Sequence, residues 1–257
     1  MKRVLTAAVL IPIVVYVVLR APFPLFLAVL AAAACLTWHE YDAIAFPRSA
    51  RVAWHGVLGF AAGLAMLLAP VGLWPILMAL ALIALAWSMR AADLADTLPR
   101  TALLVFGVIY IFGSWRCAVP LRQANPHWLM YALLVSWSGD IGAYYAGRNF
   151  GRHRLAQRVS PNKSWEGAAG SVAAAMLVAG AYLIRFVGVP VPLALALTAV
   201  ANAAGQIGDL AESAIKRGAG VKDSGAILPG HGGFWDRVDS TLFTLPVIYV
   251  YVRFAAN

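Results

Sequence analysis

Charge is scarce in this sequence, and negative charge is scarcest. Of 257 residues, 11 are Asp or Glu and 20 are Lys or Arg, together 12% of the chain. An ordinary soluble domain carries roughly 25%. Hydrophobic residues make up 62%, and the mean hydropathy is +0.77. So much apolar surface with so little charge excludes a disordered tail and a soluble enzyme, because one water-facing core of this size cannot hide it. Cysteine is almost missing: Cys35 and Cys117, each in or beside an apolar run, exclude a disulfide scaffold and give no metal spacing. Strand-like alternation at barrel spacing is missing as well, so the spans must be helical. These absences leave an all-α integral membrane protein, a polytopic helix bundle.

Runs free of Asp, Glu, Lys and Arg cover 4–19, 21–38, 52–89, 101–115, 123–139, 167–184, 186–208 and 240–252. The 52–89 run is long enough for two spans of about 20 residues each. Pro70-Val71-Gly72 sets a turn at its centre. The pattern therefore predicts about nine transmembrane helices. Lys2-Arg3 before the first run places the N-terminus in the cytoplasm. That first segment is expected to stay uncleaved, since Arg20-Ala21-Pro22-Phe23-Pro24 offers no small-residue cleavage site. Nine alternating spans divide the 20 basic residues 15 to 5 between the cytoplasmic and outer sides, as positive-inside topology requires. Residues 1–120, rich in Ala, Leu and Val, are expected to form a scaffold and dimer region. Residues 121–257 are expected to be catalytic, because seven of the eleven acids lie between Asp140 and Asp239. His39, Glu40 and Asp42 are assigned to a short cytoplasmic loop as solvated charges. The net charge of +9 suits anionic lipid or polyphosphate better than nucleic acid, which is not expected as a partner.

Polar residues gather in two places. Asp209, Glu212, Ser213 and Lys216 share one helical face at i, i+3, i+4 and i+7, and Asp236, Asp239 and Ser240 share another. Carboxylates near membrane depth are costly and are functional candidates by default. Oxygen donors without a His–Cys pattern suit Mg²⁺ or another hard cation, with interhelical ion pairing to Arg217 or Arg237 as the bland reading. The linker between them holds Gly218, Gly220, Gly225, Gly230, Gly232 and Gly233, with Lys216, Arg217, Lys222 and Arg237 around it. Such a loop can cradle a polyphosphate on backbone N–H groups, although it is not a Walker-type loop. His231 either contacts phosphate or caps a turn. In the second place, Asp140, Tyr144 and Gly147 share a face. Arg148 and then Ser160-Pro161-Asn162-Lys163-Ser164 follow, where Ser160 and Lys163 can hold phosphate at the start of the next helix.

These residues resemble a known family, the phosphatidate cytidylyltransferases (CDP-diacylglycerol synthases). Ser213-Ala-Ile-Lys216-Arg217, Lys222-Asp223-Ser-Gly225 and Leu228-Pro229-Gly-His231-Gly232-Gly233-Phe234-Trp-Asp236-Arg237-Val238-Asp239 fit its signature across 27 positions without departure. Asp140 to Gly151 and Ser160 to Ser164 are similar to two further segments, with Ser164 where Thr is usual. The resemblance implies an integral membrane enzyme, usually a homodimer, that uses Mg²⁺. The reaction it implies transfers the cytidylyl group of CTP to phosphatidic acid and releases CDP-diacylglycerol and pyrophosphate for phospholipid biosynthesis. The family's metal-bearing carboxylates map to Asp209 and Asp236, with Asp239 as a further ligand for one or two divalent ions, and a monovalent ion is also admitted. Lys216, Arg217, Lys222, Asp223, His231 and Arg237 are the expected catalytic set. Asp140, Tyr144, Arg148, Ser160, Lys163, Ser213, Gly232 and Gly233 are expected to bind substrate. A bacterial plasma membrane with the site on its cytoplasmic side is the expected location. Two alternatives stand beside this reading: a membrane lipid kinase, and a secondary transporter with an intramembrane carboxylate site. The Asp-Gly-x-x-Ala-Arg pattern of a CDP-alcohol phosphotransferase is absent.

Overall fold

Short polar or Pro/Gly-bearing joints separate the apolar runs, and helices form on the runs. The computed structural model describes residues 2–46, 54–69, 72–227 and 232–255. Among these, helices extend over Lys2–Leu19, Phe23–Ala45, Trp54–Leu68, Leu73–Ser88, Leu94–Ala124, Pro126–Phe150, Trp165–Val187, Val191–Gly218 and Asp239–Phe254. Pro24, Pro126 and Pro192 sit in first turns, where a missing N–H costs nothing. Asn125 and Ser164 cap their helices by accepting from the amides of His127 (3.0 Å) and Gly167 (3.1 Å). Gly188, with φ of 82°, ends the Trp165–Val187 helix in the left-handed region. Among the described residues, four helices are long and apolar enough to cross a membrane: Phe23–Ala45, Leu94–Ala124, Trp165–Val187 and Val191–Gly218. Outward side chains such as Leu82, Leu177 and Ile207 are exposed, as a lipid-facing surface requires.

Two expectations change. Phe23–Ala45 runs straight through His39, Glu40 and Asp42, so these are helical residues and not a loop. The charges do not stop the helix because the structure satisfies two of them: Glu40 is buried against backbone amides, and Asp42 bonds His55 at 2.7 Å. The all-α description also acquires an exception. Arg154–Ala156 and Ser160–Ser164 pair as an antiparallel hairpin, with Arg154 opposite Ser164 and Ala156 opposite Ser160. Pro161 fits there because a two-stranded ribbon leaves each strand an edge that needs no N–H. The predicted turn residues Pro70 and Val71 lie outside the described residues.

Pro126–Phe150 packs most extensively along the first part of the helix that begins at Trp165. The contact works because small residues face one another: Gly142 and Ala146 against Gly170 and Ala174, and Ala143 and Gly147 against Gly167. Helices approach this closely in a membrane only where side chains are small. The Asp239–Phe254 helix packs on Val191–Gly218. The core below them includes Tyr131, Leu183, Leu242 and Trp235, all fully buried.

A Cβ at Gly142 would stand 2.5 Å from the Gly170 carbonyl oxygen. Gly142→Val is expected to destabilise the protein by about 1–3 kcal/mol through overpacking. Gly72→Ala, with nothing within 4 Å of the added carbon, should stay within about 0.5 kcal/mol of the parent. Unfolding of the two variants in the same detergent checks the contrast.

Candidate active site

A cavity of about 340 Å³ opens where five of these elements meet. Pro126–Phe150 contributes Asp140, Tyr144 and Arg148, the hairpin Lys163, Val191–Gly218 Asn202, Gln206 and Asp209, and Asp239–Phe254 Ser240 and Thr244. Volumes of about 300–1,000 Å³ are usual for small-molecule sites. Lys163 Nζ lies 2.5 Å from Asp209 Oδ2, and Arg148 donates to the Tyr144 hydroxyl at 3.0 Å. Deeper in, Asn202 donates to Ser171 (3.1 Å), and Gln206 donates to Asn202 (2.7 Å) and to the Ala168 carbonyl (3.2 Å). Ser164 caps the Trp165 helix and also lines the cavity with Gly167 and Ala168, so the first turn of that helix borders the space. That first turn is an anion-favouring position.

Beside the cavity sits a second charged centre. Lys216 Nζ lies 2.7 Å from Glu212 Oε2 and 2.5 Å from Asp236 Oδ1, and the Glu212 side chain is 1% exposed. Sequence spacing puts Glu212 and Lys216 one helical turn apart, and a sharp C-terminal turn brings Asp236 back to them. In that turn Gly220, at φ 73°, lets the Val221 amide bond the Lys216 carbonyl at 2.9 Å. Asp236 Oδ2 accepts from the amides of Gly233 (2.9 Å) and Ser224 (3.1 Å). Burial pushes the Asp236 carboxyl up, but the bond from Lys216 and these amides outweigh it and hold it below the usual carboxylate value. Asp239, buried at the head of the last helix, is within electrostatic range of Asp209, Glu212 and Asp140, which links the two centres.

The residues singled out in the sequence divide accordingly. Asp140, Tyr144, Arg148, Lys163 and Asp209 share the cavity. Lys216, Asp236 and Gly233 share the second centre. Gly232 is in the left-handed region at φ 81° beside Asp236. Arg237 is exposed and acts electrostatically on Asp140. Arg217, exposed, donates to the Val221 carbonyl at 3.0 Å, and Lys222 and Asp223 are exposed on the same loop. Ser160 and Ser213 are half-buried outside the cavity lining. His231 lies outside the described residues. Four residues at the site escaped the sequence reading. Asn202 and Gln206 lay inside an apolar run, Ser224 was passed over between Asp223 and Gly225, and Glu40 was assigned to solvent. Their spacing from Asp209, one helical turn for Gln206 and two for Asn202, was the available signal for that pair.

Oxygen donors dominate both centres. Among the described residues, no three His, Cys, Asp or Glu side chains converge closely enough to ligate one ion. Lys163 and Lys216 supply the positive charge that the carboxylates face. Among the described residues Glu212 Oε1 is buried without a hydrogen-bond partner, and that one lone pair is of a kind that a hard cation such as Mg²⁺ suits.

Removing the buried ammonium leaves two uncompensated carboxylates. Lys216→Met is expected to cost about 3–5 kcal/mol of stability. Adding Glu212→Gln and Asp236→Asn to it should recover most of that loss, and unfolding midpoints in one detergent give the order. A triple variant no more stable than Lys216→Met would contradict the pairing.

The cytidylyltransferase family matches residues 1–255. A phosphatidate cytidylyltransferase of Bacillus subtilis (strain 168) is 39% identical over 157 residues, 60% of this chain and 58% of that protein. One from Staphylococcus saprophyticus is 40% identical over 160 residues, covering 62% and 58%. Another, from Staphylococcus aureus (strain COL), is 40% identical over 151 residues, 58% of each. The chain thus aligns with 58% of the length of these relatives. With the family matched over nearly every residue, this chain belongs to the cytidylyltransferase family.

Proposed function

We propose that the chain transfers the cytidylyl group of CTP to phosphatidic acid, giving CDP-diacylglycerol and pyrophosphate for phospholipid biosynthesis. One observation carries the reading: Asp140, Arg148, Lys163 and Asp209, from three separate elements, line one cavity beside the Lys216–Asp236 pair. Alternating carboxylates and cations at the end of a lipid-facing bundle suit a substrate that is half lipid and half polyphosphate. Similarity to phosphatidate cytidylyltransferases of Bacillus subtilis and Staphylococcus saprophyticus supports the same chemistry.

Phosphatidate needs little activation. Its second phosphate pKa is about 6, so the headgroup is a dianion near neutral pH. One of its oxygens forms a bond to the α-phosphorus of CTP, while the bond from that phosphorus to the bridging oxygen breaks. Pyrophosphate leaves with the electron pair. No general base is required, and the work left to the protein is positioning and charge neutralisation. Lys216, Arg217, Lys222 and Arg237 neutralise the triphosphate and the departing pyrophosphate, with Asp223 and His231 on the same loop. Arg148, Lys163, Ser160, Tyr144 and Asp140 hold the lipid phosphate or the nucleotide. Ser213, Gly232 and Gly233 complete the cradle. Asp209, Asp236 and Asp239 would hold Mg²⁺, as one or two divalent ions with a monovalent ion admitted. Such an ion would supply charge stabilisation to the transferring phosphoryl group.

The 15 to 5 division of basic residues supports nine spans, a cytoplasmic N-terminus and a site on the cytoplasmic face of a bacterial plasma membrane. The Ala-, Leu- and Val-rich 1–120 region is proposed as scaffold and homodimer surface, and 121–257 as the catalytic region.

Purified protein given phosphatidic acid, cytidine-labelled CTP and Mg²⁺ should yield lipid-soluble label and pyrophosphate in equal amounts. Asp209→Asn should lower turnover by about 100-fold or more, the usual scale for losing charge stabilisation of a transition state. Label that stays water-soluble, or full turnover by Asp209→Asn at limiting Mg²⁺, would contradict the proposal.

A further inference from the structure

Glu40, an acid of the N-terminal half, reaches the site. It is 2% exposed, and both of its oxygens are engaged. Oε1 accepts from the Phe234 amide at 2.9 Å. Oε2 accepts from the Trp235 amide at 2.8 Å and from the Ser224 hydroxyl at 2.7 Å, across 184 residues of chain. Burying a carboxylate costs several kcal/mol unless such bonds repay it, so helix packing alone does not account for one here. The surrounding chain also makes room for it. A Cβ at Gly225 would come 2.5 Å from Glu40 Oε1, and one at Gly233 would come 2.6 Å from Oε2. Two glycines of the loop are therefore fitted to this carboxylate.

Glu40 and Asp236 are held by neighbouring groups, with Ser224 common to both. Ser224 accepts from the Asp236 amide through its hydroxyl (3.3 Å) and donates its own amide to Asp236 Oδ2 (3.1 Å). Gly233, next to Phe234, donates its amide to the same oxygen at 2.9 Å. Asp236 Oδ1 meets Lys216. Trp235 locks the turn from below: it is fully buried, packs edge-on against Tyr41 and donates its indole N–H to Tyr110 at 3.3 Å. Tyr41 follows Glu40 in sequence, so one helix end supplies both the carboxylate and the packing surface.

We infer that Glu40 is a positioning residue that fixes Ser224 against Phe234 and Trp235 and thereby sets Asp236 against Lys216. The inference rests on the proposed cytidylyl transfer for its kinetic readout, while its structural readout is independent. Glu40→Gln keeps the shape but places an amide donor where an N–H or hydroxyl already donates. Displacements of about 1 Å at a reacting site cost up to about 100-fold in rate. Glu40→Gln is therefore expected to lower kcat by about 10- to 100-fold and to change KM for phosphatidate by less than about 3-fold. Ser224→Ala should lower kcat in the same direction. The pair together should be no worse than the poorer single variant, because both act through Asp236. Amide exchange across 223–236 should accelerate in both variants, while exchange in Pro126–Phe150 stays unchanged.

Turnover by Glu40→Gln within twofold of the parent, or losses that multiply in the pair, would overturn the inference. If Glu40→Gln fails to fold, Ser224→Ala carries the test, and unaltered kcat and exchange there overturn it. If the parent itself makes no CDP-diacylglycerol, the activity reading falls. The exchange measurement then decides the role of Glu40 by itself, and unaltered exchange at 223–236 refutes it.

Discussion

Lys216 sits between two carboxylates with little access to water, and the geometry of the polar end of the bundle depends on that arrangement. Glu212 comes from the same helical face, one turn away, and Asp236 from the return of the chain beyond a left-handed glycine. Ions taken from water lose several kcal/mol of hydration each, and only close partners with further hydrogen bonds restore it. The backbone amides of Ser224 and Gly233 supply those bonds to Asp236. The loop therefore cannot fold independently of the helix end, nor the helix end without the loop. Glu40 extends the constraint to the N-terminal half by holding the other side of the same turn.

A chain this poor in charge places what it has with purpose. Many large apolar side chains are exposed, as contact with lipid requires, and small residues such as Gly142 and Gly170 let two helices meet closely. Against that background, Asp140, Lys163 and Asp209 face one cavity, and Asp239 bridges it electrostatically to Glu212. A cavity lined by Asp140, Lys163 and Asp209 in a lipid-facing bundle suits the proposed reaction, whose two substrates live in different phases. Fixed charges that are already paired need little reorganisation when a polyphosphate arrives.

Much of this was legible in the sequence, for reasons that can be named. Charge-free runs locate helices because burying a backbone in lipid leaves only one way to satisfy it. The i, i+3, i+4 spacing of Asp209, Glu212, Ser213 and Lys216 located one wall of the site, because helical periodicity is local. What escaped was non-local or small. Glu40 read as a loop charge because its partners are backbone amides nearly 200 residues away, and backbone donors leave no mark in a sequence. Helix continuation to Ala45 depends on that tertiary satisfaction. The hairpin at Arg154–Ala156 and Ser160–Ser164 is too short for alternation to announce it. Asn202 and Gln206 are polar but uncharged, so a count of charges passes over them.

The central proposal is that fixed charges position a lipid phosphate for direct attack on the α-phosphorus, with no covalent intermediate on the protein. The stereochemical course of transfer from one diastereomer of CTP sulfur-substituted at the α-phosphorus tests it most directly. A single in-line displacement predicts inversion at phosphorus in the CDP-diacylglycerol product. Retention would require two displacements through a covalent cytidylyl-enzyme and would contradict the account.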